Sequence, residues 1–342
     1  MAYTTIKKPS DYFNTKLWTG TGANLSITGV GFQPDFTWIK NRANTDDHNL
    51  FDVLRGFSTD ALLRSNTNGA ATDTTEGIKS FDSDGFSLGT NGSSNGNGQG
   101  MVSWNWKANG TGSANTDGSI NSTVSANTTS GFSIVKWTAN GSNNGTIGHG
   151  LGSTPAIVIY KRLDGTGSWY VLYTFVDGSQ DYLILDSTSA KADLASATYG
   201  TATSSTISNI GFTNNHSMLA YCFAEKTGYS KFGSYTGNGN ADGTFVYTGF
   251  KPAFVIIKSS SYNGSNWHMY DTKRNTFNVI DKVLKSDDTT AEVTPTNTDI
   301  DCLSNGFKLR GTDVATNESG GSLIYMAFAE EPLIGDNPAT AR

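Results

Sequence analysis

The sequence predicts an all-β fold: three tandem β-sandwich units, jelly-roll or concanavalin-like, of about 100 residues each. Two observations carry this. A set of short motifs recurs three times in one order, and no stretch holds a helical apolar period between caps. The best helical candidate, Thr188 to Leu194, is too short to form a packed element.

Each unit opens with an aromatic strand that ends in small turn residues. The three openings are YFNTKLWTGTG from Tyr12, FSIVKWTANG from Phe132 and YSKFGSYTGNG from Tyr229. A turn and a proline follow (Pro34, Pro155, Pro252), then an apolar run ending six residues later in Lys40, Lys161 and Lys258. Proline donates no hydrogen bond, so it belongs at the start of a strand. A run that is apolar at nearly every position suits a strand covered on both faces. The middle motifs HNLFDVLRG, WYVLYTFVDG and WHMYDTKRN place Asp52, Tyr173 and Asp271 at matching positions. Next, a polar turn feeds a Gly-Phe pair. Gly85, Gly211 and Gly306 are expected at positive φ, and Phe86, Phe212 and Phe307 are expected to plug the core. The last strands, MVSWNWKA, LAYCFAEK and IYMAFAEE, align Trp106, Phe223 and Phe328.

These motifs divide the chain into an N-terminal arm (1–11), units at 12–108, 131–226 and 227–331, and a tail (332–342). Units two and three abut. Between units one and two, residues 109–130 are rich in Gly, Ser, Thr and Asn and read as a flexible linker. A coil of that length spans roughly 25–30 Å. The arm and tail read as extended, with the tail expected to touch a neighbouring subunit.

The net charge is -6 and only 16% of residues are charged. An acidic chain without a basic cluster disfavours nucleic acid as a partner. Ser, Thr and Asn make up roughly a third of the chain, a surface suited to the outside of a cell or particle. The start has no signal-peptide pattern, and no segment has the apolar length of a membrane span. Cys222 and Cys302 are too few for a disulfide framework, and Cys222 in MLAYCFA reads as a buried thiol.

Motifs with chemistry are few. The histidines His48, His149, His216 and His268 have no spacing that shares a metal, so no metal or other cofactor is expected. Gly92-Ser93-Ser94-Asn95-Gly96 has the G-x-S-x-G form but lies in a low-complexity loop rather than a strand-to-helix elbow. Asp82-x-Asp84-Gly85 resembles part of a calcium loop, but its counterparts read as turns. The adjacent pairs Asp46/Asp47 and Asp287/Asp288 would point to opposite faces of a strand, so they read as solvated loop charges. Asp52-x-x-Arg55 and Asp271-x-x-Arg274 read as internal ion pairs that order a loop. Trp169, Tyr262 and Trp267 lie in or beside Gly/Ser/Asn loops and are the candidate glycan contacts, since an indole edge offers an apolar face and an N–H; core packing is the other reading of the tryptophans. Trp104 and Trp106, two apart, share one face of their strand.

The ordered set PSDYFNTKLWTGTG, LFDVLRG, FDSDGFSL, SANTTSGFSIV, AYCFAEKTGYSKFGSYTGNG and IYMAFAEEPLIG resembles a family of virion structural proteins of tailed, often marine, phages. The resemblance covers nearly the whole chain and is most specific from Ala220 to Gly239. It implies a tail or head-surface component with lectin-like β repeats, and carries no catalytic residues to transfer. WNWKANG in the first unit departs from the FAE of the others, so the units need not bind the same thing. The expected protein is therefore a non-enzymatic virion surface component: tail fibre, tail tip or capsid decoration. Its expected partners are other virion proteins, further copies of itself and a host-surface glycan. The alternatives are a polysaccharide-cleaving phage enzyme, a ligand-free cement protein and a secreted bacterial adhesin.

Overall fold

The computed structural model describes residues 4–142, 145–194, 200–211, 214–336 and 338–339. It is 42% strand and 3% helix, which settles an all-β fold of antiparallel sheets. The segment Thr188–Leu194 contributes only the short strand Ala192–Asp193.

Three large sheets share one strand order. In the first, Phe13–Thr19 pairs with Gly100–Trp106, which pairs with Phe36–Asn41, followed outward by Asn49–Asp52 and Leu63–Arg64. The last sheet repeats this with Ser230–Thr236, Ser322–Pro332, Phe250–Ser259, His268–Asp271 and Leu284–Lys285. The middle sheet has the same sequence of neighbours, with Phe132–Thr138, Ser217–Phe223, Ile157–Arg162, Tyr170–Tyr173 and Asp181–Ile184. Beside each lies a smaller sheet, built on Leu25–Thr28, Thr146–Gly148 or Phe245–Tyr247. Pro34 and Pro155 precede their strands. Pro252 lies inside its longer strand, at a register shift that spares the ladder a missing donor.

The period-two pattern of the proline strands decides the packing. Phe36 and Trp38, Ile157 and Ile159, and Phe254 and Ile256 all point into one shared central core. The alternating Ile39, Val158, Tyr160, Val255 and Ile257 point the other way, into three separate cores against the smaller sheets. Both faces of these strands are thus covered. The matched residues Trp106, Phe223 and Phe328 meet in the central core. Their ring centroids lie 6.4, 5.9 and 5.5 Å apart around the triangle. A void of about 20 Å³ beside them is the size of a single water and is lined by apolar side chains.

Several expectations change. Residues 109–130 are not a free coil. Ser113–Asn115 and Ser122–Asn127 extend the middle sheet at the edge of Phe132–Thr138, because Val124 and Ala126 alternate with Thr123 and Ser125 and bury against the outer core. The N-terminal arm is anchored, with Thr4 and Ile6 buried and Ile6 in the central core. The tail folds back on the arm, where the Asp336 N–H bonds the Lys7 carbonyl at 3.2 Å. Phe86 and Phe307 are fully buried, whereas Phe212 lies outside the described residues. Gly85 and Gly211 have positive φ (151° and 83°), but Gly306 does not. A Cβ on Gly306 would instead collide with the Val246 carbonyl of the paired strand.

Candidate functional site

The three lysines that end the proline strands lie on the same face as the central aromatics and are fully buried. A buried ammonium must find acceptors. Lys40 Nζ donates to the carbonyls of Asn41, Asn44 and Asp46 in its own loop (2.9, 3.1 and 2.8 Å) and to Thr289 of the third segment at 3.0 Å. Lys161 donates to Gly167 of its own loop and to Asn68 of the first segment at 3.0 Å. Lys258 donates to Ser265 and, at 3.1 Å, to Thr188 of the second segment. The reach is cyclic: first to third, second to first, third to second. Burial pushes each lysine down to about 8, and nearby carboxylates such as Asp46 and Asp287 oppose this.

Trp169 and Trp267 obey the same cycle. Both are buried (0% and 1% exposed), with the indole N–H groups donating to the Arg64 and Ile184 carbonyls of the preceding segments at 2.9 and 3.0 Å. The expectation that these tryptophans touch a glycan is therefore corrected, since neither ring reaches solvent. His48 stands at the matching place in the first segment. It is fully buried, and its Nδ1 accepts from Trp38 Nε1 at 2.9 Å. Burial holds it well below the usual imidazole range. Backbone bonds complete the ring: Ala71 to Leu163, Lys191 to Ser260, and Glu292 to Arg42, donor first (2.8, 2.9 and 2.8 Å).

The Asp-x-x-Arg motifs are buried ion pairs with no exposed side-chain surface. Each also takes a donor from the following segment. The Tyr221 hydroxyl donates to Asp52 at 2.8 Å, and Trp104 Nε1 donates to Asp271 at 3.1 Å. Tyr173, at the matching place in the middle segment, is buried, and burial pushes its phenol far above the usual range. Glu292 binds Arg42 through both carboxylate oxygens (2.8 and 2.7 Å) and also Arg274 at 3.2 Å.

The other motifs resolve into structure. Gly92–Asn95 is one helical turn rather than a loop, capped by Asn91. The buried Ser94 hydroxyl accepts from Asn49 at 2.9 Å. Asp84 accepts from the N–H groups of Gly29 and Gly31 (2.9 and 2.7 Å), which holds its carboxyl below the ordinary value. Asp46 accepts from Asn41 at 2.7 Å and Asp47 pairs with Arg64 at 2.9 Å. Asp287 is half-buried rather than solvated and accepts from Trp267 N–H at 3.0 Å. Burial raises it to about 6. Both cysteines are buried and in no disulfide, and burial pushes Cys222 up to about 12. No group of three or more potential metal ligands occurs among the described residues. No helix there is long and apolar enough to cross a membrane.

Aromatic surface remains elsewhere. Tyr262 is 40% exposed on its loop. Phe245 and Tyr247, which the sequence reading did not single out, share the outer face of the third small sheet at 43% and 57% exposure. Their positions two apart in a strand were the available signal. In the other small sheets the matching positions hold Ser26 and Thr28, or Thr146 and Gly148.

Fold and site together define an all-β protein of antiparallel sheets whose buried polar groups tie its segments around one aromatic core. Residues 8–332 match the family described as a domain of unknown function (DUF7483), and the chain belongs to that family. No curated protein and no solved structure matches it.

Proposed function

We propose that this protein is three copies of one β unit closed into a ring, serving as a passive structural component on a phage particle's surface and contacting host glycans. One observation carries the reading. The buried groups that elsewhere signal chemistry, namely Lys40, Lys161, Lys258, Asp52 and Asp271, have their hydrogen bonds taken up by partners across segment boundaries. Such groups hold a shape; they are not poised to transfer protons. The resemblance to virion proteins supplies the particle. A weakly charged surface rich in hydroxyl and amide groups suits prolonged exposure outside a cell.

Glycan contact rests on Tyr262, Phe245 and Tyr247, whose exposed rings can cover the apolar face of a sugar. Antibody to this chain should decorate intact particles at a regular position, and particles that stay unlabelled would remove the structural role. On a glycan array, purified protein should bind a subset of sugars and Tyr247→Ala should weaken it. An array without signal, beside labelled particles, would leave a cement protein as the reading.

A further inference from the structure

Phe13–Thr19, Phe132–Thr138 and Ser230–Thr236 occupy one matched edge of the large sheets, and their open sides differ. Phe132–Thr138 is covered by Ser122–Asn127, with Ser125 opposite Ile134. In the third segment the residue matched to Ile134 is Phe232. Its N–H donates to the Glu225 carboxylate at 3.0 Å, which also holds Lys231 at 2.8 Å. In the first segment the matched residue is Thr15; among the described residues no strand pairs with its open side and no carboxylate accepts from its N–H.

The ladder shows which groups are left open. Lys107 N–H bonds the Tyr12 carbonyl and Gly20 N–H bonds the Gln99 carbonyl, so the even-numbered residues between them face Gly100–Trp106. Phe13, Thr15, Leu17 and Thr19 therefore turn their backbone groups to the open side. Thr15 is nonetheless buried (6% exposed), and its hydroxyl has no hydrogen-bond partner among the described residues. It lines two clefts of about 290 and 250 Å³. Lys273 lines both; the first also holds Lys16 and Leu17, and the second holds Phe13, Glu330 and Glu331. Neither Lys16 nor Lys273 forms an ion pair among the described residues.

We propose that Phe13–Thr19 is a docking edge for one extended strand of a partner polypeptide, added as Ser122–Asn127 adds to Phe132–Thr138 within this chain. Main-chain hydrogen bonds supply the affinity and side chains the choice of partner. The strand carries a carboxylate at the Leu17 end, where Lys16 and Lys273 line the cleft without an acid, and none at the Phe13 end, where Lys273 shares the cleft with Glu330 and Glu331. The inference is independent of the particle-surface reading.

The test uses the full chain and two synthetic peptides: residues 119–130 as they stand, and the same peptide with Thr123→Asp. Thr123 pairs with Lys136, the residue matched to Leu17, so the new carboxylate would face Lys273. Amide hydrogen exchange of residues 13–19 should slow on peptide addition, with the acidic peptide binding about three-fold tighter. Leu17→Pro removes a free donor from the open side and should abolish protection. Lys273→Glu, an exposed change that leaves the fold alone, should reverse the preference between peptides. Lack of protection with either peptide at millimolar concentration would overturn the proposal. So would protection that survives Leu17→Pro, or a preference that ignores Lys273→Glu.

Discussion

The central core and the three outer cores use the same strands but differ in chemistry and reach. The inner faces are aromatic and draw on residues from Ile6 to Phe328. Each outer core is mostly aliphatic and local, as in the cluster of Ile27, Ile39, Phe86 and Met101. One face of each sheet therefore belongs to its own segment and the other to the whole molecule. A segment taken alone would keep its outer core and expose its inner face to water. The difference teaches that repetition along a chain does not imply independent folding.

The largest break in that comparison comes at the centre. Trp106→Ala should cost about 3–5 kcal/mol and lower the protection of all three large sheets together. Phe86→Ala removes a ring of similar depth in an outer core, but its loss of hydrogen-exchange protection should stay within residues 25–28 and 78–88. Uniform loss from both variants would refute a division between shared and local cores. Arg274→Leu leaves the buried Asp271 carboxyl with only Trp104 and backbone donors, and should cost about 3–5 kcal/mol in urea denaturation. Tyr221→Phe removes the hydroxyl that donates to Asp52 and accepts from Arg55 between the second and first segments and should cost about 1.5–3 kcal/mol.

The smallest effect is a pH dependence. Asp287 is raised by burial to about 6 from an ordinary 3.8, with the Trp267 N–H and Asn266 opposing. Between those values the folded state keeps a proton that the unfolded chain has lost, so this group's contribution falls as pH rises from 4 to 6. Asp287→Asn should flatten the urea midpoint across that window. A wild-type midpoint already flat there would show that Asp287 is not shifted.

The nearly unbroken apolar runs after Pro34, Pro155 and Pro252 made the sheets legible, because a strand covered on both faces is written in adjacent residues. Recurrence of Trp106, Phe223 and Phe328 was visible too, but not that the three rings touch, since contact between distant segments leaves no local period. Lys40, Lys161 and Lys258 were noted as strand ends. A lysine placed three times at the close of an apolar run was the sign of a buried ammonium, and its acceptors are backbone carbonyls that no side-chain pattern reveals. Trp169 and Trp267 misled for the same reason: glycine-rich loops beside them looked exposed, while the covering came from Arg64 and Ile184 of other segments. Ser122–Asn127 was too polar to stand out as a strand, although Val124 and Ala126 held the right spacing.

The Lys40–Thr289 bond joins places 249 residues apart. During synthesis the second segment can settle on the first, and the third on the second, but the first ammonium, held by its own loop, lacks its cross-segment acceptor until the third segment has left the ribosome. A product that stops before Thr289 would carry an unclosed seam through its middle. Completion of the seam thus distinguishes a chain that has reached Thr289 from one that stops short of it.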